Sequence, residues 1–194
     1  MSLLLIAASP TAASRSAALL SATGERLVHL GLAPETLRLR ELPAQALLLA
    51  DAQQAQIREA LQQVAQARAI VLATPIYKAA YSGLLKVFLD LLPQDGLRGK
   101  TILPLATGGS LAHLLALDYA LKPVLSALGA RDILDPIYAT DAHLPRVDGS
   151  YGLDAGIGRR LGEASQELHE RLTQTPRTSS TRAEITLLAE RCNA

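Results

Sequence analysis

Residues 69–92, AIVLATPIYKAAYSGLLKVFLDLL, leave few folds open to this chain. The run 69–73 (AIVLA) has the length and branching of a strand buried on both faces, as in a parallel sheet covered by helices. Thr74-Pro75 predicts its end, because proline has no N–H for a ladder and drives the preceding residue toward extended geometry. A helix is expected from near Ser82, since Leu84, Leu85, Phe88, Leu89 and Leu92 recur at the helical period. The loop between them carries Tyr77, Lys78 and Tyr81. In open parallel sheets, loops just past the C-terminal ends of strands are where ligands bind.

The remaining segments repeat the alternation. Residues 2–8 (SLLLIAA) read as a first buried strand ended by Ser9-Pro10. Ser14 is the expected N-cap of a helix running to about Leu30, with Gly31 at C′. Residues 35–41 (ETLRLRE) alternate as an outer strand should. Residues 43–51 carry no assignable pattern. Residues 52–67 form an amphipathic helix through Ile57, Leu61 and Val64. After a turn at 93–99, residues 100–106 (KTILPLA) give a fourth strand and 107–110 the loop behind it. A helix over 111–128 ends at Gly129. Residues 133–140 give a fifth strand, where Pro136 predicts an edge position or a bulge. A polar loop over 141–152 and a final helix over 153–172 follow.

Short right-handed crossovers then predict an α/β, three-layer, flavodoxin-like fold. Its five-stranded parallel sheet has the order 2-1-3-4-5, with helices on both faces. One domain spans 1–173, and 174–194, which opens with the linker-like TQTPRTSSTR, is read as a tail.

Composition removes several function classes. A net charge of +1 gives no electrostatic case for nucleic acid or a membrane surface. No apolar run nears the roughly 20 residues of a spanning helix. Residues 3–8 are too short for a signal segment and lack a basic start. The one cysteine, Cys192, excludes an internal disulfide framework. These features predict a cytoplasmic protein.

Three loops are expected to meet at one sheet edge. The first offers the hydroxyls of Ser9, Thr11, Ser14 and Ser16, the Arg15 guanidinium and the free N–H groups of a helix start. That set suits a phosphate; taken alone, it is more often a helix cap with surface serines, because capping serines are common. The second offers an apolar wall, Pro75, Ile76 and Tyr77, beside Lys78. The third offers Thr107, Gly108, Gly109 and Ser110, whose glycines let backbone approach a flat ligand. A ligand with a phosphate at one end and a flat hydrogen-bonding ring at the other, such as FMN, fits all three.

Other motifs fail on context. Gly99-Lys100-Thr101 ends like a P-loop, but the earlier glycine is replaced by Gln94 and the segment precedes its strand. His29, His113, His143 and His169 have no metal-ligand spacing. No base lies near Ser9 or Ser14 to activate a nucleophile.

Pro123 lies well inside the fourth helix and lacks the N–H that bonds the carbonyl of Tyr119. An i→i+5 bond from Val124 to Tyr119 repairs the gap. Counted regularly from Leu111 and Leu114, the next core position is Asp118, and one extra residue restores the stripe at Leu121, Val124, Leu125 and Leu128. The pattern predicts a π-bulge around 118–122, with Tyr119 displayed at a subunit contact. The competing reading is a proline kink with an exposed tyrosine.

Ser9-Pro10…Ser14-Arg15-Ser16, the run ATPIYKAAYSGLLK over 73–86 with Leu89-Asp90, and LATGGS over 105–110 resemble the NADPH-dependent FMN reductase family. The continuation LAHLLALDYALKP over 111–123 resembles the reductase component of two-component alkanesulfonate monooxygenase systems. The resemblance covers roughly residues 2–140. It implies hydride transfer from NADPH to FMN and delivery of reduced flavin to an FMNH2-dependent monooxygenase. It also implies a homo-oligomer, dimer or tetramer, joined near the flavin edge, and no catalytic side chain, because FMN and NADPH carry the reaction. Lys78 either opposes charge on reduced flavin or is simply solvated. The family usually has Arg directly after Ser-Pro, where this chain has Thr11. Weaker FMN retention follows, and flavin used as a substrate binds in the micromolar range, about −8 kcal/mol. The alternatives on the same fold are an FMN-bound quinone or azo reductase and an electron-transfer flavodoxin.

Overall fold

The computed structural model describes residues 2–173, so the tail assigned to 174–194 lies outside the described residues. The chain runs β1 (Leu3–Ala7), α1 (Arg15–His29), β2 (Pro34–Arg38), α2 (Ala44–Leu48), α3 (Ala55–Gln66), β3 (Ala69–Tyr77), β4 (Ala80–Tyr81) and α4 (Gly83–Leu89). It continues with β5 (Thr101–Gly108), a π-helix (Leu117–Leu121), α5 (Lys122–Ala127), β6 (Asp132–Ile133), β7 (Ile137–Thr140), β8 (Arg146–Val147), β9 (Ser150–Tyr151) and α6 (Ala155–Thr173).

The parallel sheet has the order β2-β1-β3-β5-β6, and β7 extends the outer edge beside β5. With β6 and β7 counted as one interrupted strand, this is the expected 2-1-3-4-5. Pro136 falls in the interruption, on an edge strand, where its missing N–H breaks no inner ladder. β1 and β5 are buried at every residue. Side chains alternate between the two faces. Leu4, Ile6, Ile70, Leu72 and Ile102 pack with Ile57, Val64, Leu85 and Phe88 on one face. Leu3, Leu5, Val71, Leu103 and Leu105 pack with Leu19, Leu27, Leu161 and Leu168 from α1 and α6 on the other. Each fully buried leucine contributes about 1.5–3 kcal/mol of transfer free energy. No helix among the described residues is long and apolar enough to cross a membrane.

Local chemistry fixes the ends of several elements. Ser14 caps α1 by accepting from the Ala17 N–H at 3.1 Å, and Gly31 follows the helix at φ +81°. Ser82 caps α4 through the Leu85 N–H and also donates to the Ala8 carbonyl at 2.7 Å. This one hydroxyl ties the end of β1 to the start of α4. Lys100 is nearly buried and donates to the carbonyls of Ala65 and Ala67 at 2.8 and 2.7 Å, closing the end of α3. Burial pushes its ammonium below the ordinary lysine range.

Several expectations are corrected. Thr74-Pro75 does not end β3, which continues to Tyr77 with Pro75 opposite Thr107 of β5. The Ala73 carbonyl accepts from Ala8, so by alternation Pro75 turns its bare nitrogen toward the space past the end of β1, where no ladder bond is lost. β2 stops at Arg38, and Leu39–Glu41 turn into a 3-10 helix that buries Leu39. Thr107 and Gly108 belong to β5 and not to the loop after it.

The long helix over 111–128 is broken. Leu111–His113 form a 3-10 turn, and the π-helix follows. Its i→i+5 bond runs from the Lys122 N–H to the Leu117 carbonyl, two residues before the expected pair. Pro123 then sits in the first turn of α5, where a missing N–H costs least. Leu121 and Leu125 are buried, with Val124 and Leu128 packed against the same cluster, as the π register requires. Leu111 and Leu114 are exposed, however, and the buried stripe starts at Ala116 and Leu117. Tyr119 is 79% exposed.

Candidate functional site

A cleft of about 250 Å³ opens at the C-terminal edge of β1, β3 and β5. Of the expected residues, Thr11, Ser14, Arg15, Ser16, Pro75, Ile76, Tyr77, Thr107, Gly108 and Gly109 line it. Ser9, Lys78 and Ser110 do not.

One end is rich in donors. Ser9 is buried, and its Oγ accepts from the Thr11 N–H and lies 3.2 Å from the Thr11 Oγ1, so it braces the loop from behind. The Ser14 and Ser16 hydroxyls are 3.3 Å apart at the start of α1. The first turn of α1 carries no acidic residue, so its dipole and free N–H groups face the cleft unopposed from within the helix.

Arg15 is held from the far side of the chain. Its guanidinium lies 3.3 Å from the Asp141 carboxylate and its Nε donates to the Leu144 carbonyl at 3.3 Å. Its face stands 5.1 Å from the centre of the Tyr151 ring. Asp141, Tyr151 and Ala13 also line the cleft, and the sequence reading missed them. A topological signal existed for Asp141, which directly follows β7 at the same edge.

The other end is apolar. Pro75, Ile76 and Tyr77 form the wall, because β3 runs on past β1 and folds back on β4 in a hairpin. Lys78 and Ala79 make its two-residue turn with φ of 49° and 63°. Two non-glycine residues there are strained by about 1 kcal/mol each. Lys78 is thereby a turn residue exposed to solvent.

Tyr138 sits behind the wall, buried, and donates to the Ser110 carbonyl at 2.6 Å. Burial, and secondarily the Asp141 carboxylate, raise its phenol above the ordinary tyrosine range. A Cβ at Gly108 meets the Tyr138 hydroxyl, whereas one at Gly109 meets nothing within 4 Å. Packing therefore explains Gly108 and leaves Gly109 facing open space.

The NADPH-dependent FMN reductase family model matches residues 1–144. The chain belongs to the NADPH-dependent FMN reductase family. It is 42% identical over 182 residues to an FMN reductase (NADPH) of Escherichia coli K12, covering 91% of this chain and 94% of that one. A Pseudomonas putida FMN reductase (NADPH) is 42% identical over 174 residues, covering 89% and 88%. Among solved structures, the apo form of the NADH:FMN oxidoreductase EMOB superposes with a TM-score of 0.81 at 35% identity, covering 91% and 92%.

Family membership makes the chain an oxidoreductase with NAD(P)H-dependent FMN reductase activity, and FMN and NADPH are its expected pair. The lining of the cleft is compatible with the flavin of that pair. Hydroxyl and N–H donors lie at one end, an apolar wall at the other, and bare backbone at Gly109 between strand and solvent.

Proposed function

We propose that this FMN reductase uses NADPH to reduce FMN as an exchangeable substrate and passes reduced flavin to an alkanesulfonate monooxygenase for sulfur acquisition. The observation that carries the placement is the two-ended cleft, with donors at the start of α1 and an apolar wall on the extended β3. When bound, FMN supplies the hydride-accepting ring.

The chain's own residues bind and orient. Thr11, Ser14, Ser16 and the first N–H groups of α1 hold the phosphate, with Arg15 beside them and Ser9 bracing Thr11. Pro75, Ile76, Tyr77, Thr107, Gly108 and Gly109 hold the ring, and Ser110 fixes the loop through Tyr138. Lys78 acts at the wall's outer rim, on the strained turn. No acid or base is assigned, because the redox chemistry would be the cofactors' own and these residues would supply binding and orientation.

The subunits assemble as a dimer or tetramer. Leu111, Leu114, Leu115 and Tyr119 form an exposed apolar set around the π-helix, which supports a contact there. The single cysteine supports a cytoplasmic setting for the reaction.

The partner assignment rests on the likeness of residues 111–123 and is tested by reconstitution. The protein, FMN and NADPH are combined with an alkanesulfonate monooxygenase, an alkanesulfonate and dioxygen, and sulfite is measured. Sulfite release that depends on all components is expected. Reduced flavin formed with no sulfite, under conditions where chemically reduced FMN does yield it, contradicts the partner.

A further inference from the structure

We infer that Asp141 sets the affinity of the site for the phosphate of FMN, by neutralising Arg15 and so keeping the flavin exchangeable. The inference rests on the FMN placement proposed above.

Among the described residues, Arg15 is the one Lys or Arg that lines the cleft. Its charge is not free. The Asp141 carboxylate lies 3.3 Å from it and lines the same cleft. An incoming phosphate thus meets a pair whose formal charges cancel, together with neutral hydroxyl and N–H donors. Those donors recognise phosphate geometry, but long-range attraction requires net positive charge.

Asp141 is not needed to aim Arg15. The Leu144 carbonyl accepts from its Nε at 3.3 Å and the Tyr151 ring stands 5.1 Å from its face, two contacts that an Asp141→Asn change leaves in place. The carboxylate therefore opposes an anion more than it organises the site. Its side chain is 50% exposed, so the effect is screened and amounts to about three- to tenfold in affinity. The consequence falls on one end of the ligand. FMN is held less tightly, while a flavin without phosphate is unaffected, and reduced FMN leaves sooner after each turnover.

The test compares the full-length chain with its Asp141→Asn and Asp141→Glu variants. Dissociation constants for FMN and for riboflavin are measured by flavin fluorescence, with salt raised from about 20 mM to about 500 mM. Asp141→Asn is expected to tighten FMN about three- to tenfold and to leave riboflavin within about twofold. High salt is expected to erase most of the gain, and Asp141→Glu to behave as the unaltered protein does. An unchanged or weaker FMN affinity in Asp141→Asn overturns the inference, as does an equal shift for riboflavin, which marks a structural effect. Unaltered protein that binds neither flavin overturns the FMN placement and this inference with it.

Discussion

The Tyr138 hydroxyl donates to the Ser110 carbonyl at 2.6 Å by passing through the space that a Cβ at Gly108 would fill. Gly108→Ala is therefore expected to destabilise the fold by about 1–3 kcal/mol, since a buried ring must shift. Adding Tyr138→Phe removes the nearest clashing atom and should recover part of that loss. Denaturant melts of the two single variants and the double variant check the coupling. Simple additivity contradicts it.

Gly109→Ala separates binding from packing. Its Cβ meets no protein atom within 4 Å, so stability should stay within about 0.5 kcal/mol. Affinity for FMN and riboflavin should fall together by about tenfold or more, because the added methyl occupies the ring's approach. Flavin titration of a variant with an unchanged melting curve is the check.

The raised phenol of Tyr138 gives a pH dependence of definite sign. Its ionisation is resisted in the folded state by burial first and by the Asp141 carboxylate second. The unfolded chain ionises from about pH 10, where the folded chain still holds the proton. Stability is thus fully present below that pH and is lost as pH rises through the folded value. Tyr138→Phe should cost about 1 kcal/mol at neutral pH through the lost hydrogen bond, and should flatten the alkaline decline. Some decline remains, because burial also raises Tyr81. Unfolding midpoints between pH 9 and about 11.5 measure both effects.

Ser82→Ala removes a helix cap and the link from α4 to the end of β1 together. A loss of about 1–2 kcal/mol is expected, with the Ala8 carbonyl left without its partner. Ser82→Thr keeps the hydroxyl and should recover most of it. Thermal melts of the two variants decide, and equal losses contradict the hydrogen-bond account.

Tyr119→Ala tests the proposed subunit contact. The side chain is 79% exposed, so monomer stability should change by no more than about 0.5 kcal/mol. Sedimentation should show weakened assembly. Unchanged assembly, flavin exchange and kinetics remove any functional part for the exposed tyrosine.

What the sequence revealed was what local chemistry dictates. Ser14, Gly31 and Ser82 mark helix ends because caps act within a few residues. Pro123 pointed to the π-helix, but the i→i+5 bond forms between Lys122 and Leu117, two residues before the expected repair, and Pro123 itself opens α5. Pro75 misled because its effect depends on the strand beside it, and β1 has already ended there. Leu39 misled because one more alternating residue looks alike in a strand and in a 3-10 turn. The Arg15–Asp141 pair joins residues 126 positions apart in the chain, and no pattern in either segment announces it. Tyr151 reaches Arg15 through the β8–β9 hairpin, whose two-residue strands are too short to show a period.

The most direct measurement is NADPH consumption by desalted full-length protein with and without added FMN, alongside its absorption spectrum. The account predicts a colourless protein that oxidises NADPH only when FMN is supplied. A yellow protein that needs no added FMN and reduces quinones would contradict exchangeable flavin. Bound FMN with no NADPH oxidation under either condition would contradict the reductase reading itself.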